Sequence, residues 1–149
     1  MAPFLVFAAV TAVLRGLGAT GVVVLASWDV CLRGGLASLF LLTASAHWGR
    51  RRPDLIRMVP TVFPRPDWTV TVTGWLELLG AAGLLWSATA RIAAACLAVL
   101  LVAVFPANVR AARRHLTIGG QPATALGPRT LMQVVYVGAL VLVALAAAS

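Results

Sequence analysis

Charged residues are scarce in this chain of 149 residues, where they make up 11% of the sequence and include no lysine. A soluble domain carries about one quarter charged residues. Hydrophobic residues make up 61% of the chain. This composition excludes an ordinary soluble domain and predicts a polytopic membrane protein with a single helical domain, residues 1–149.

Cysteine is also scarce, since Cys31 and Cys96 are the only two. They form no CxxC motif and have no zinc-ligand spacing, so no metal site is predicted. The sequence also has no pair of histidines for haem and no dinucleotide-binding fingerprint. The two cysteines lie toward the same predicted surface on different helices, so whether they form a disulfide depends on contact between those helices.

Acidic residues number four against twelve arginines, which gives a formal net charge of +8. In a soluble protein this excess would suggest nucleic-acid binding. Here the arginines gather in two loops between apolar runs, so they indicate topology and argue against nucleic acid as a partner. The first apolar run has no basic region before it and is interrupted by Arg15, so we expect that it is not a cleaved signal peptide.

Five apolar runs predict helices. They cover residues 3–18, 29–48, 68–86, 91–113 and 129–147. Asp29 is a candidate N-cap for the second helix, and Pro106 removes one backbone hydrogen bond inside the fourth. The predicted fold is an all-α membrane protein, with a four-helix transmembrane bundle plus one extra N-terminal helix, five spans in all.

The segment 49–67 contains five arginines and four prolines, so it is not one continuous helix. Pro53 can start a short helix that Pro60 would end. Its apolar residues could enter the headgroup region while Arg57 stays in water. These residues are Leu55, Ile56, Met58 and Val59. The simpler interpretation, which we favour, is a plain anchoring loop.

Nine of the twelve arginines lie in or beside segments 49–67 and 114–128. The positive-inside rule places these segments in the cytoplasm, so the N-terminus is cytoplasmic and the C-terminus is outside. The tryptophans agree, as Trp48 and Trp68 fall at the inner interface and Trp28 and Trp86 at the outer one. We expect Arg15 to reach the outer interface.

Glu77 is the one ionisable residue in the predicted span 68–86. A carboxylate at that depth is costly, so we expect it to face other helices, and Arg33 is a geometrically possible partner. His47, Asn108 and Gln133 come from three other helices and fall within about two turns of the cytoplasmic surface. We therefore predict a polar cluster in that half of the bundle. The candidate catalytic residues are Glu77 and His47, and the candidate ligand-binding residues are Asn108, Gln133, Arg33, Trp75 and Tyr136.

Several motifs resemble the DoxX-like family of small bacterial membrane proteins. The segments are the GWLE run in the third helix and VFPANV in the fourth. The corresponding residues are His47, Gly74, Glu77, Phe105, Pro106, Ala107, Asn108 and Gln133. The resemblance covers about residues 30–147 and implies a four-helix core in the bacterial inner membrane, to which the first helix is an extension. The family takes its name from a subunit of a thiosulfate:quinone oxidoreductase.

Three functions remain open from the sequence. The first is a non-catalytic membrane protein, an assembly partner, lipid binder or small carrier, whose polar residues hold helices together. The second is a redox subunit with a membrane or peripheral partner, in which His47 and Glu77 exchange protons with a quinone and Asn108 and Gln133 bind its carbonyl oxygens. The third is a membrane enzyme whose buried acid protonates an isoprenoid-like substrate.

Overall fold

The computed structural model describes residues 2–146, which form an all-helical protein. The helices are α1 (Ala2–Ala19), α2 (Trp28–Ser45), α3 (Arg52–Met58), α4 (Pro66–Leu85), α5 (Ala90–Arg113) and α6 (Leu126–Ala146). A 3-10 turn, Val23–Ala26, precedes α2. Two short antiparallel strands, β1 (Thr117–Ile118) and β2 (Gln121–Pro122), form a hairpin between α5 and α6.

Four helices, α1, α4, α5 and α6, are long and apolar enough to cross a membrane. Their outward faces carry large apolar side chains, among them Leu79, Ile92, Val99 and Leu131, each about two thirds exposed. An apolar surface of this extent is what lipid-facing helices present. The structure therefore agrees with a multi-pass membrane protein.

The helix at the centre of the bundle is α2, which packs against α1, α4 and α6. Its large apolar residues Leu36, Leu39 and Phe40 are fully buried and belong to one core cluster that α4, α5 and α6 complete. Small residues let the neighbours approach closely. At Gly35, for example, a Cβ atom would lie 3.0 Å from the backbone oxygen of Phe7 on α1.

The start and end of α2 differ from the sequence prediction. Ser27 occupies the N-cap position, so the prediction of Asp29 was wrong. Asp29 lies in the first turn, where its Oδ2 is 3.0 Å from Arg33 Nε in an ion pair. A carboxylate is favoured in a first helical turn, and an acid four residues before a base stabilises the helix. The helix ends at Ser45, and His47 lies in the turn that follows.

Proline marks the positions where α4 and α6 begin. Pro66 is at the first turn of α4, and Pro128 is in the first turn of α6, which begins three residues before its predicted start. Proline is tolerated there because the first backbone N–H groups have no helical acceptor. Pro106 lies within α5, yet the helix continues to Arg113.

The C-terminus of α5 is closed by a Schellman motif. His115 has a positive φ of 47°, the backbone N–H of Leu116 donates to the Ala111 carbonyl at 3.1 Å, and that of His115 donates to Ala112. This pattern satisfies the last carbonyls of a helix. It turns the chain from α5 into the hairpin, within segment 114–128.

The two arginine-rich segments, 49–67 and 114–128, lie at the same end of the bundle, which we call the arginine-rich end. The Gly119 N–H donates to Asp54 Oδ2 at 2.7 Å, and Arg57 forms an ion pair with the same carboxylate. These two contacts hold the pKa of Asp54 below its usual range. The hairpin after α5 is thus joined to α3.

Segment 49–67 contains the short helix α3, so the plain loop that we favoured was wrong, and two of the apolar residues also differ from the alternative in which they enter the headgroup region. Met58 and Val59 are buried in the protein instead of facing headgroups, because α3 packs against α4 and α5. The apolar side chains that the segment does expose are Val62, at 81%, and Phe63, at 50%.

At the opposite end, Arg15 connects α1 to the start of α2. Its NH1 donates to the Ala26 carbonyl at 3.2 Å, and its guanidinium carbon lies 5.1 Å from the centre of the Trp28 ring. Arginine over a tryptophan face is a favourable cation–π contact. The arrangement fits a side chain that extends along the helix toward an interface.

Candidate functional site

Glu77 faces inward, toward α2. Its side chain is 12% exposed, and its Oε2 accepts a hydrogen bond of 2.7 Å from the Thr43 hydroxyl. The same oxygen lies 4.0 Å from His47 Nδ1. The helices therefore bring together Glu77 and His47, the two candidate catalytic residues. Thr43, His47 and Glu77 are called the α2–α4 group below.

The imidazole of His47 is fixed by the end of α2. Its Nδ1 lies 3.1 Å from the Thr43 carbonyl, and the residue is 8% exposed. The His47 carbonyl in turn accepts a hydrogen bond of 2.8 Å from Arg52 NH1. Arg52 NH2 donates to the Thr71 hydroxyl at 2.9 Å and to the Asp67 carbonyl at 3.2 Å. Arg52 thus ties the turn after α2 to the first turns of α4.

Gly74 makes room for this turn against α4. A Cβ atom at Gly74 would lie 2.7 Å from His47 Cβ and 2.9 Å from Trp48 Cη2. Contacts this short do not occur between real carbon atoms, so glycine is required for the close approach. Gly74 is three residues before Glu77, on the same face of α4, and its bare backbone lets the acid lie close to α2.

A second polar group joins α5 to α6 and consists of Asn108, Arg129 and Gln133. Asn108 Nδ2 donates to Gln133 Oε1 at 3.4 Å, and Arg129 NH1 donates to Asn108 Oδ1 at 2.9 Å. Gln133 Nε2 donates to the Leu101 carbonyl at 3.0 Å. That carbonyl is next to Val102, whose oxygen loses its helical donor to Pro106. This set is called the α5–α6 group below.

The two groups are separate. Within residues 2–146, no hydrogen bond or ion pair connects the α2–α4 group to the α5–α6 group. The sequence predicted one cluster containing His47, Glu77, Asn108 and Gln133. The structure instead pairs the two amides with each other and the acid with Thr43.

The other three candidate residues lie outside both groups. Arg33 forms its ion pair with Asp29 and lies ten residues before Thr43, roughly 15 Å along α2. Trp75 is 55% exposed and packs edge-to-face on Trp48, with ring centres 5.4 Å apart.

Tyr136 and the cysteines have structural contacts of their own. Tyr136 packs edge-to-face against Phe7 of α1, with ring centres 6.0 Å apart. Cys31 is buried and its thiol donates to the Leu25 carbonyl at 3.3 Å, whereas Cys96 is exposed. Both are free thiols, so the structure contains no disulfide between them.

Thr43, Arg52 and Arg129 were missed by the sequence reasoning. Thr43 had a usable signal, because it precedes His47 by four residues and so lies on the same face of α2. The two arginines had none, since arginine in or beside the segments 49–67 and 114–128 was already explained by the topology.

The chemistry available to the α2–α4 group is limited to one carboxyl, one imidazole and one hydroxyl. Among the described residues there is no set of three histidine, cysteine or acidic side chains that could hold a metal ion. At 4.0 Å the acid and the imidazole are beyond hydrogen-bonding distance. A small movement of either side chain would allow proton exchange between them.

Comparison with known proteins identifies a family. No curated protein and no solved structure matches the chain. Residues 36–148 match a family described as a domain of unknown function (DUF8561), and the chain belongs to that family. The matched region begins within α2 and contains both polar groups.

Proposed function

We propose that this DUF8561 protein is a non-catalytic membrane protein with an assembly, lipid-binding or carrier role, in which Glu77 holds α4 against α2. The hydrogen bond of 2.7 Å from the Thr43 hydroxyl to Glu77 carries the proposal. Polar side chains inside membrane bundles commonly stabilise helix contacts through such bonds. The acid has its partner on the neighbouring helix, as a structural role requires.

The proposal includes a topology of five spans, with α2 as the fifth crossing helix and α1 as an addition to a core of α2, α4, α5 and α6. Two observations support it: α2 lies between α1, α4 and α6, and the family match begins at residue 36, after α1. The arginine-rich end then lies in the cytoplasm of a bacterial inner membrane, with the C-terminus outside. The resemblance to DoxX-like proteins is part of the same proposal.

A double-mutant cycle tests the role of Glu77. Thr43→Val, Glu77→Met and the double variant are unfolded reversibly in mixed micelles, and their free energies of unfolding are compared. Methionine is used because it keeps the length of the side chain but has no oxygen to accept the Thr43 hydrogen bond. We expect Glu77→Met to lower stability and the pair to show a coupling of about 0.6 kcal/mol, the mean for interhelical hydrogen bonds in membranes.

The matched control is Ser38→Ala, because the Ser38 hydroxyl donates only to the Gly34 carbonyl of its own helix. Ser38→Ala combined with Glu77→Met should show additive effects. A Thr43–Glu77 coupling no larger than this control would contradict the proposed role.

A quinone-binding redox subunit is the second candidate, favoured by the distance of 4.0 Å between His47 Nδ1 and Glu77 Oε2. An acid and an imidazole this close could relay a proton to a reduced quinone. The test is solvent extraction of the purified protein, followed by titration with ubiquinone and menaquinone. Stoichiometric quinone that is lost in Glu77→Gln, with an unchanged melting temperature, would establish this function over the structural one.

A further inference from the structure

A cavity of about 450 Å³ lies at the arginine-rich end, between α3, the start of α4 and the end of α5. Its charged lining consists of Arg57, Arg110 and Arg114, and no acidic residue of the described chain lines it. Its apolar lining includes Ile56, Val59 and Phe63. The cavity thus combines cationic and apolar walls, and neither Glu77 nor His47 takes part in it.

Two of the three arginines have no side-chain partner among residues 2–146. Arg57 forms its ion pair with Asp54. The side chains of Arg110 and Arg114 make no hydrogen bond or ion pair to any residue in 2–146, and Arg110 Nε is buried without a partner. A buried donor of this kind is costly and normally has an acceptor. The positive charges of Arg110 and Arg114 are therefore not compensated by any acidic side chain of the described residues.

The fold holds these two arginines at the cavity. Arg110 lies in the last turn of α5 and Arg114 is the C-cap residue of that helix, and the Arg114 N–H donates to the Arg110 carbonyl at 3.0 Å. The Schellman motif after Arg114 then turns Leu116 back into the lining. Two guanidinium groups on one helix face match the several oxygens of a phosphate group.

We propose that this cavity binds the phosphate of an anionic phospholipid, with Arg110 and Arg114 as its ligands. The apolar lining and the exposed Val62 and Phe63 beside it favour a lipid over free phosphate, since the glycerol and upper acyl carbons of a lipid would cover them. The inference rests on the proposed membrane location and does not depend on the role of Glu77.

Lipid binding is measured on the purified full chain by native mass spectrometry and by thermal shift in neutral detergent micelles. The probes are dioleoyl phosphatidylglycerol, dioleoyl phosphatidylcholine and inorganic phosphate. We expect phosphatidylglycerol to bind and raise the melting temperature. Arg114→Gln should weaken that binding about tenfold, because it removes a charge-assisted hydrogen bond to the phosphate. Arg110→Gln should weaken it at least as much.

Arg113→Gln is the matched control, because Arg113 is adjacent, exposed and absent from the cavity lining. It removes the same charge at the same end and should leave affinity unchanged within twofold. If Arg110→Gln does not fold, the exposed Arg114 carries the comparison. Equal losses in Arg113→Gln and Arg114→Gln, equal binding of the two lipids, or equally tight inorganic phosphate would each overturn the proposal. The Thr43–Glu77 cycle is unaffected by any of these results, so the two proposals fail separately.

Discussion

Both polar groups place polar side chains inside an apolar bundle. The two groups supply hydrogen-bond partners for those side chains with different functional groups. In the α5–α6 group, the Asn108 amide donates to the Gln133 amide, Arg129 donates to Asn108 Oδ1, and Gln133 Nε2 donates to the Leu101 carbonyl. In the α2–α4 group, Glu77 receives one hydroxyl hydrogen bond from Thr43, with His47 at 4.0 Å. Amides both donate and accept, whereas a carboxylate only accepts. Two amides can therefore satisfy one another, but an acid depends on donors from its neighbours.

The packing between helices also differs between the α2–α4 and α5–α6 regions. The α2–α4 contact depends on a missing side chain, because a Cβ at Gly74 would collide with His47 and Trp48. On α6, by contrast, a Cβ at Gly138 would meet nothing within 4 Å. Glu77 thus lies in a helix contact that has no space for an added methyl group at Gly74. We expect it to be the more sensitive of the two regions, and the following experiments test that difference.

The largest effect is expected for Gly74→Ala. The added methyl group must displace the turn that carries His47, and overpacking of this kind costs about 1–3 kcal/mol. Gly138→Ala is the control and should leave the free energy of unfolding the same or slightly higher. Both are measured by reversible unfolding in mixed micelles. Similar losses at the two positions would show that α4 is not held closely against α2.

A smaller loss is expected for Gln133→Leu, which removes the hydrogen bond to the Leu101 carbonyl and leaves Asn108 Nδ2 without its acceptor. We expect about 1–2 kcal/mol of destabilisation. Thr130→Val is the control, since the Thr130 hydroxyl donates only to the Leu126 carbonyl of its own helix. Its effect should stay within about 0.5 kcal/mol.

The same variant examines whether the groups are independent. Gln133→Leu combined with Glu77→Gln should be additive within about 0.5 kcal/mol, because no bond joins the two groups in the described chain. A coupling well above that value would mean that the amides and the acid share one site, as the quinone hypothesis requires.

The helices could be predicted from the sequence because the position and length of each apolar run directly indicate a helix. Each predicted helix is present, with ends shifted by at most three residues within the described range, whereas the predicted end of the fifth helix at residue 147 lies outside the described residues. The inward orientation of Glu77 followed from the cost of placing a carboxylate against lipid. Both inferences need only the local sequence and the properties of a bilayer.

The hydrogen-bond and ion-pair partners of the polar residues could not be predicted from the sequence. They depend on the rotation of each helix about its axis and on the side chains of its neighbours. Arg33 was matched with the distant Glu77, although Asp29, one turn away, was the easier partner. Asn108 and Gln133 were assigned to the same cluster as His47 on depth alone. The depth of a residue gives its position along the helix axis but not the direction in which its side chain points around that axis. This direction separates the α2–α4 group from the α5–α6 group.

The smallest effect is expected for the hydrogen bond between Asp54 and Gly119, which links the segment after α2 to the segment after α5. Asp54 lies after α2 and Gly119 after α5, and the hydrogen bond between them holds the pKa of Asp54 below its usual value of about 3.9. A lowered folded-state pKa stabilises the contact above the unfolded pKa, and this stabilisation is lost as pH falls through the folded value. Hydrogen exchange at the Gly119 amide should therefore show constant protection between pH 7 and about pH 5, after correction for intrinsic rates. Protection should then fall below about pH 4.

Asp54→Asn keeps an oxygen acceptor but removes the titrating charge, so its Gly119 protection should be lower at neutral pH and should not change down to about pH 3. The Gly21 amide, which donates to the Gly18 carbonyl at the opposite end, serves as the internal control. If protection at Gly119 were lost above pH 5, or fell equally in Asp54→Asn, the connection between the two regions would depend on another group. The arginine-rich end would then be held together by α3 packing alone.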